Sequence, residues 1–131
     1  MELNITFPGG SKVTAEYGSD SITTDQSIIE GGEGAGPSPY LCFLASIGTC
    51  AGYYVLRFCQ MRGLDTENVR IKQTNTFNEE THSLSNVKIE IQVPAEFPQK
   101  YHKALVRAAE QCAVKRTLES PPSVELQTKV V

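Results

Sequence analysis

From Tyr40 to Leu56, seventeen consecutive residues carry no charge. That length sits at the lower limit of a membrane span, but the run holds Ser46, Gly48, Thr49, Gly52 and three tyrosines, and no second apolar segment accompanies it. The expectation is a long helix, Pro39 to about Arg62, apolar nearly all round and central to the fold. Ser38 is placed to cap it, Pro39 suits its first turn, and Gly63 supplies a left-handed stop. A chain of 131 residues makes one domain, residues 1–131, with little material to cover every face of such a helix. A second subunit supplying the rest of the cover is the simplest solution, so a homodimer is expected.

The flanking segments alternate instead. Leu3, Ile5 and Phe7 share one side of a strand, Pro8-Gly9-Gly10 turns, Lys12–Tyr17 alternates again, and Gly18-Ser19-Asp20 leads into a short strand over Ser21–Gln26. After the long helix, one strand carries Val69, Ile71 and Phe77, and the next carries Val87, Ile89, Ile91 and Val93, with Glu79–Ser83 as the turn. A helix is expected from Gln99 to about Cys112, a further turn or short helix after it, and a final alternating strand over Val124–Val130. The order βββ–α–ββ–α–β is an α+β fold of antiparallel sheet packed on helices.

A net charge of −3 with scattered basic residues argues against a nucleic-acid partner, which needs a basic stripe. The start, Met1 to Phe7, lacks the basic, apolar and small-residue order of a signal peptide, so a cytoplasmic location is expected. There the four cysteines are free thiols rather than a disulfide framework. Their spacing holds no C-x-x-C, and His82 and His102 fall in a turn and on an exposed helix face, so no metal or other cofactor is expected. A strained Gly-x-Ser-x-Gly turn is missing, and the Gly31–Gly36 loop has neither dinucleotide nor P-loop spacing.

Cys50 lies among small residues on the long helix, and Cys112 ends the next helix beside Lys115 and Arg116. Two cysteines on separate helices can meet as a reactive pair, which suggests thiol redox chemistry; a small core residue is the plain alternative for each. At about 100° per residue, Tyr53, Tyr54 and Arg57 share the broad face of Cys50, whereas Cys59 lies opposite. Cys42 and Cys59 are read as structural.

Gly32-x-Gly-x-Gly-Pro-Ser-Pro39 followed by Ala45-x-x-x-x-Cys50, together with Glu110-x-Cys112-x-Val114-x-Arg116-Thr117-Leu118, resembles the OsmC/Ohr family of osmotically inducible and organic hydroperoxide resistance proteins. The resemblance implies an antiparallel sheet wrapped around a long central helix in an intertwined homodimer. It also implies a cysteine peroxidase acting on organic hydroperoxides, with Cys50 peroxidatic, Cys112 resolving, and an external dithiol, such as a lipoyl-bearing protein, as reductant. Tyr53, Tyr54 and Tyr40, with Leu41 and Phe58, are expected to wall the substrate pocket. The sequence departs from the family's pattern at one point: residues 1–49 contain no arginine, and Tyr40 stands where a glutamate would hold it. Arg57, Arg116 and Lys12 are therefore the candidate thiolate partners. The alternative function is a non-catalytic or redox-sensing member binding a small apolar ligand.

Overall fold

The computed structural model describes all of residues 1–131. The chain forms two compact units, Met1–Ala45 and Ser46–Val131, and the long helix runs through the boundary.

The first unit is a meander of β1 (Asn4–Gly9), β2 (Lys12–Tyr17) and β3 (Asp20–Thr24). Register pairs Thr6 with Thr14 and Ala15 with Ile22, and it slips between Thr6 and Gly9, where Pro8 has no N–H to give the ladder. The glycine-rich loop beyond β3 is organised by one carboxylate. Asp25 is 1% exposed, and it accepts backbone N–H bonds from Gln26 (2.8 Å), Glu33 (3.2 Å) and Ala35 (3.0 Å). These bonds, led by that of Ala35, hold its pKa below the usual carboxylate value, against the opposing effect of burial. The loop passes so close to itself that a Cβ on Gly32 would lie 2.0 Å from the Gln26 carbonyl oxygen. Only glycine fits there.

Helix α1 (Pro39–Met61) begins as its sequence directs: Ser38 Oγ accepts the Leu41 N–H at 3.2 Å. It ends at Gly63, whose φ of 64° is the left-handed conformation of a helix stop. By length and composition α1 could cross a membrane. Its buried residues form one stripe, Ile47, Ala51, Val55, Phe58 and Cys59, while Leu41, Phe43, Tyr53 and Leu56 are exposed. Within this chain the helix is thus covered on one face rather than all round.

The second unit packs that stripe against a hairpin of β4 (Arg70–Phe77) and β5 (Leu84–Gln92), with Ile71 opposite Ile91 and Gln73 opposite Ile89. Glycine sets how near the hairpin comes. A Cβ on Gly48 would meet Gln73 Oε1 at 2.5 Å, and one on Gly52 would touch Ile71 Cδ1 at 3.4 Å. The small residues around Cys50 therefore admit a strand. Beyond the hairpin a 3-10 turn, Gln99–Tyr101, leads into α2 (His102–Ala109), and α3 (Ala113–Glu119) follows. Leu105 and Ala109 of α2 join Phe97, Phe58, Cys59 and Cys112 in the core. Full burial of a side chain such as Leu105, 2% exposed, contributes roughly 2 kcal/mol. The second helix stops three residues short of the expected Cys112, because Cys112 itself is extended (φ −52°, ψ 121°) and starts α3 instead.

The strand expected over Val124–Val130 does not form. Those residues are irregular, with Val124 79% and Leu126 90% exposed. Alternation marks a face, but a strand also needs an edge to complete its hydrogen bonds, and no strand of this chain pairs with the segment. The α+β class is otherwise as expected.

Candidate functional site

The second unit brings two cysteines together. Cys50 projects half-buried from α1, one residue before the buried Ala51. Cys112 lies in the short link between α2 and α3 and is 1% exposed. Its N–H donates to the Ala109 carbonyl at 3.2 Å, closing α2, and its Sγ accepts the Lys115 N–H at 3.4 Å, opening α3. Cys50 packs against the core cluster that contains Cys112, and the two thiols influence each other's acidity.

This setting divides the pair electrostatically. Backbone N–H groups, that of Val114 foremost, favour the Cys50 thiolate and lower its pKa despite partial burial; the Cys112 thiol adds a further bond. Burial pushes the Cys112 thiol up, and the neighbouring Cys50 pushes it the same way. Of the two thiols Cys50 is thus the more acidic and Cys112 the less. Cys59, 0% exposed, is also pushed up by burial, consistent with a core residue. Cys42 is half-buried.

The three candidate cations lie elsewhere in the local hydrogen-bond pattern. Lys12 pairs with Glu33 at 2.6 Å in the first unit. Arg116 is exposed and donates to Gln111 Oε1 at 3.0 Å, and Arg57 is exposed on α1. The lowered pKa of Cys50 is traced to backbone N–H groups and Cys112.

The aromatic wall is likewise distributed. Tyr53 is exposed and meets Tyr54 edge-on at 5.3 Å, while Tyr54 packs against the core. Tyr40 is exposed, its ring 5.6 Å from that of Phe43, and Leu41 is exposed as well. Phe58 is buried edge-on against Tyr101, with the Arg62 guanidinium 3.7 Å over its ring. The cavity that reaches Cys112 has other walls. It measures about 440 Å³ and is lined by Ile47 and Ala51 of α1, Ile89 of β5, Val106 of α2 and Leu118 of α3, with Cys112 in its wall. The inward alternation of β5 was the available sign for one wall. The backbone donors at the start of α3 leave no mark on residue type.

Comparison with known families gives a match to the OsmC-like protein family over residues 31–127, which includes both cysteines and the glycine-rich loop. The chain belongs to the OsmC-like protein family. No curated protein matches it in sequence. Solved structures share the OsmC-like fold at low identity. One is from Psychrobacter arcticus, described as an osmotic stress induced and detoxification response protein, with a TM-score of 0.69 at 20% identity over 88% of this chain and 85% of that one. An OsmC-like protein from Mycoplasma pneumoniae aligns with a TM-score of 0.68 at 13% identity, covering 92% and 87% of the two chains. The organic hydroperoxide resistance protein OhrB of Bacillus subtilis gives 0.55 at 16% identity, covering 92% and 93%.

Proposed function

We propose that this OsmC-like protein is a thiol-dependent peroxidase that reduces organic hydroperoxides. The observation that carries the reading is the meeting of Cys50 with the core cluster around Cys112, with Cys50 the more acidic of the two thiols. The thiolate of Cys50 attacks the terminal oxygen of R–O–O–H; the O–O bond breaks, the sulfur becomes sulfenic acid, and the alkoxide leaves as R–OH after taking a proton. The Cys112 thiol then displaces hydroxide from the sulfenic sulfur, forming a disulfide and water. An external dithiol reduces the disulfide by exchange and is itself oxidised. The Bacillus subtilis protein of the same fold, named for organic hydroperoxide resistance, supports the substrate class. Assembly as a homodimer and a cytoplasmic setting belong to the same proposal.

A second reading is a redox-sensing member of the family that binds a small apolar ligand. It is favoured by the cavity, whose wall includes Cys112 but not Cys50. One experiment separates the two. Reduced protein is mixed with one equivalent of cumene hydroperoxide, the remaining thiols are counted, and the cross-link is mapped by peptide mass. Loss of two thiols within seconds as a Cys50–Cys112 disulfide supports the peroxidase; four thiols persisting for many minutes removes it and leaves the ligand-binding reading.

A further inference from the structure

The cavity of about 440 Å³ is large enough for a small organic molecule, and its walls differ in kind. The inner wall is apolar: Ile47 and Ala51 of α1 are buried, and Val87, Ile89 and Ile91 of β5 are half-buried. Such a surface holds an apolar molecule without giving it a direction. The outer wall is exposed and belongs to α2, α3 and the residues that join them. It carries the only charged groups of the lining, Glu110, Lys115 and Glu119.

Those three groups are not equivalent. Lys115 Nζ is already engaged by Glu119 Oε1 at 2.5 Å, one turn along α3. Glu110 belongs to none of the ion pairs of the chain. Two carboxylates against one ammonium leave one negative charge over at the rim, and the unpaired carboxylate is that of Glu110. A molecule lying in the cavity with its own carboxylate at the mouth would face Glu110 and find Lys115 taken. The like charges would meet beside an apolar wall, where they are screened less than in open water. A hydroxyl or a cationic end meets no such opposition. We propose that the cavity takes an apolar chain whose polar end is uncharged or cationic, and that Glu110 is the residue that turns carboxylate-ended molecules away. This deepens the peroxidase reading, and rests on it for the reaction, by naming the accepted hydroperoxides as those without an acid group.

The test titrates the full reduced chain calorimetrically, at neutral pH and low salt, with octan-1-ol, octanoate and octyltrimethylammonium. None of these probes has an O–O bond or consumes a thiol. A chain that shows the selectivity yet leaves cumene hydroperoxide intact therefore keeps this proposal and loses only the peroxidase. The parent is expected to bind octan-1-ol and octyltrimethylammonium at least about fivefold more tightly than octanoate, with the gap shrinking as salt rises. In Glu110→Gln, octanoate should tighten about fivefold while octan-1-ol stays within about twofold. Val106→Trp sets bulk at an exposed position of the cavity wall and should weaken all three probes about tenfold. Leu118→Trp, also in that wall, replaces it if Val106→Trp does not fold. Octanoate binding as tightly as octan-1-ol to the parent overturns the proposal, and so does an octanoate affinity that Glu110→Gln leaves unchanged. Failure of octan-1-ol to bind, or binding unaffected by the tryptophan, overturns it as well.

Discussion

Joining Cys50 to Cys112 stabilises the fold by an amount that can be worked out. The disulfide closes a loop of roughly sixty residues, and the lost chain entropy of the unfolded state corresponds to about 4 kcal/mol. Oxidation also weakens what the sulfurs do in the reduced protein. The Lys115 N–H now bonds a disulfide sulfur, and the favourable effect of nearby backbone N–H groups on the Cys50 thiol is reduced, a loss on the order of 1 to 2 kcal/mol. The net gain is about 2 to 3 kcal/mol, which for a chain of this size raises Tm by roughly 10 °C. The assay is differential scanning calorimetry on fully reduced protein and on protein oxidised with one equivalent of cumene hydroperoxide, the cross-link verified by mass. Cys112→Ser treated identically is expected to show no gain. An oxidised Tm equal to or below the reduced one would refute the reasoning. The two cysteines would then be neighbours without being aligned to bridge, and the resolving role of Cys112 would lose its geometric basis.

Alkylation order follows from acidity and access together. Iodoacetamide at pH 7 should modify Cys50 before Cys112, with Cys59 slowest, and a peptide-resolved time course in which Cys59 or Cys112 leads would contradict the assignment. Asp25→Asn should lower Tm at neutral pH. The folded-state pKa of Asp25 is depressed, so its stabilisation is complete above about pH 4 and fades as pH falls through the lower folded value. Parent and variant melting curves should therefore converge toward acid, and a constant gap would count against the amide cage. Gly32→Ala forces a Cβ within 2.0 Å of the Gln26 carbonyl oxygen, and a loss of about 2 kcal/mol or more in urea unfolding is expected; an unchanged midpoint would show that the loop relaxes freely.

The meander, the long helix and the hairpin were legible because each has a clean period and its own punctuation. Ser38, Pro39 and Gly63 mark the ends of α1, and Gly18-Ser19 turns β2 into β3. Val124–Val130 shows where periodicity stops being informative: the pattern assigns a face but names no neighbouring edge. The break after Ala109 was hidden for a different reason, since Glu110 and Gln111 are good helix formers and only the extended backbone of Cys112 divides α2 from α3. At the site, the two cysteines were readable as residues, and their meeting depends on the hairpin, α2 and the link to α3. The search for a cation beside Cys50 led to Lys12, Arg57 and Arg116 because side chains are what a sequence displays. Amides belong to every residue, and their aim emerges only from the fold.

The unequal burial of the two sulfurs decides where wear accumulates. Oxidation past the sulfenic stage requires a thiolate that oxidant can reach, and Cys50 is the half-buried, more acidic member while Cys112 is 1% exposed and its pKa is pushed up by burial. Excess oxidant therefore spends itself on a single atom. A molecule retired in this way would carry sulfinate or sulfonate at Cys50 and an intact thiol at Cys112. That leaves a chemical record of past exposure which mass spectrometry could read molecule by molecule.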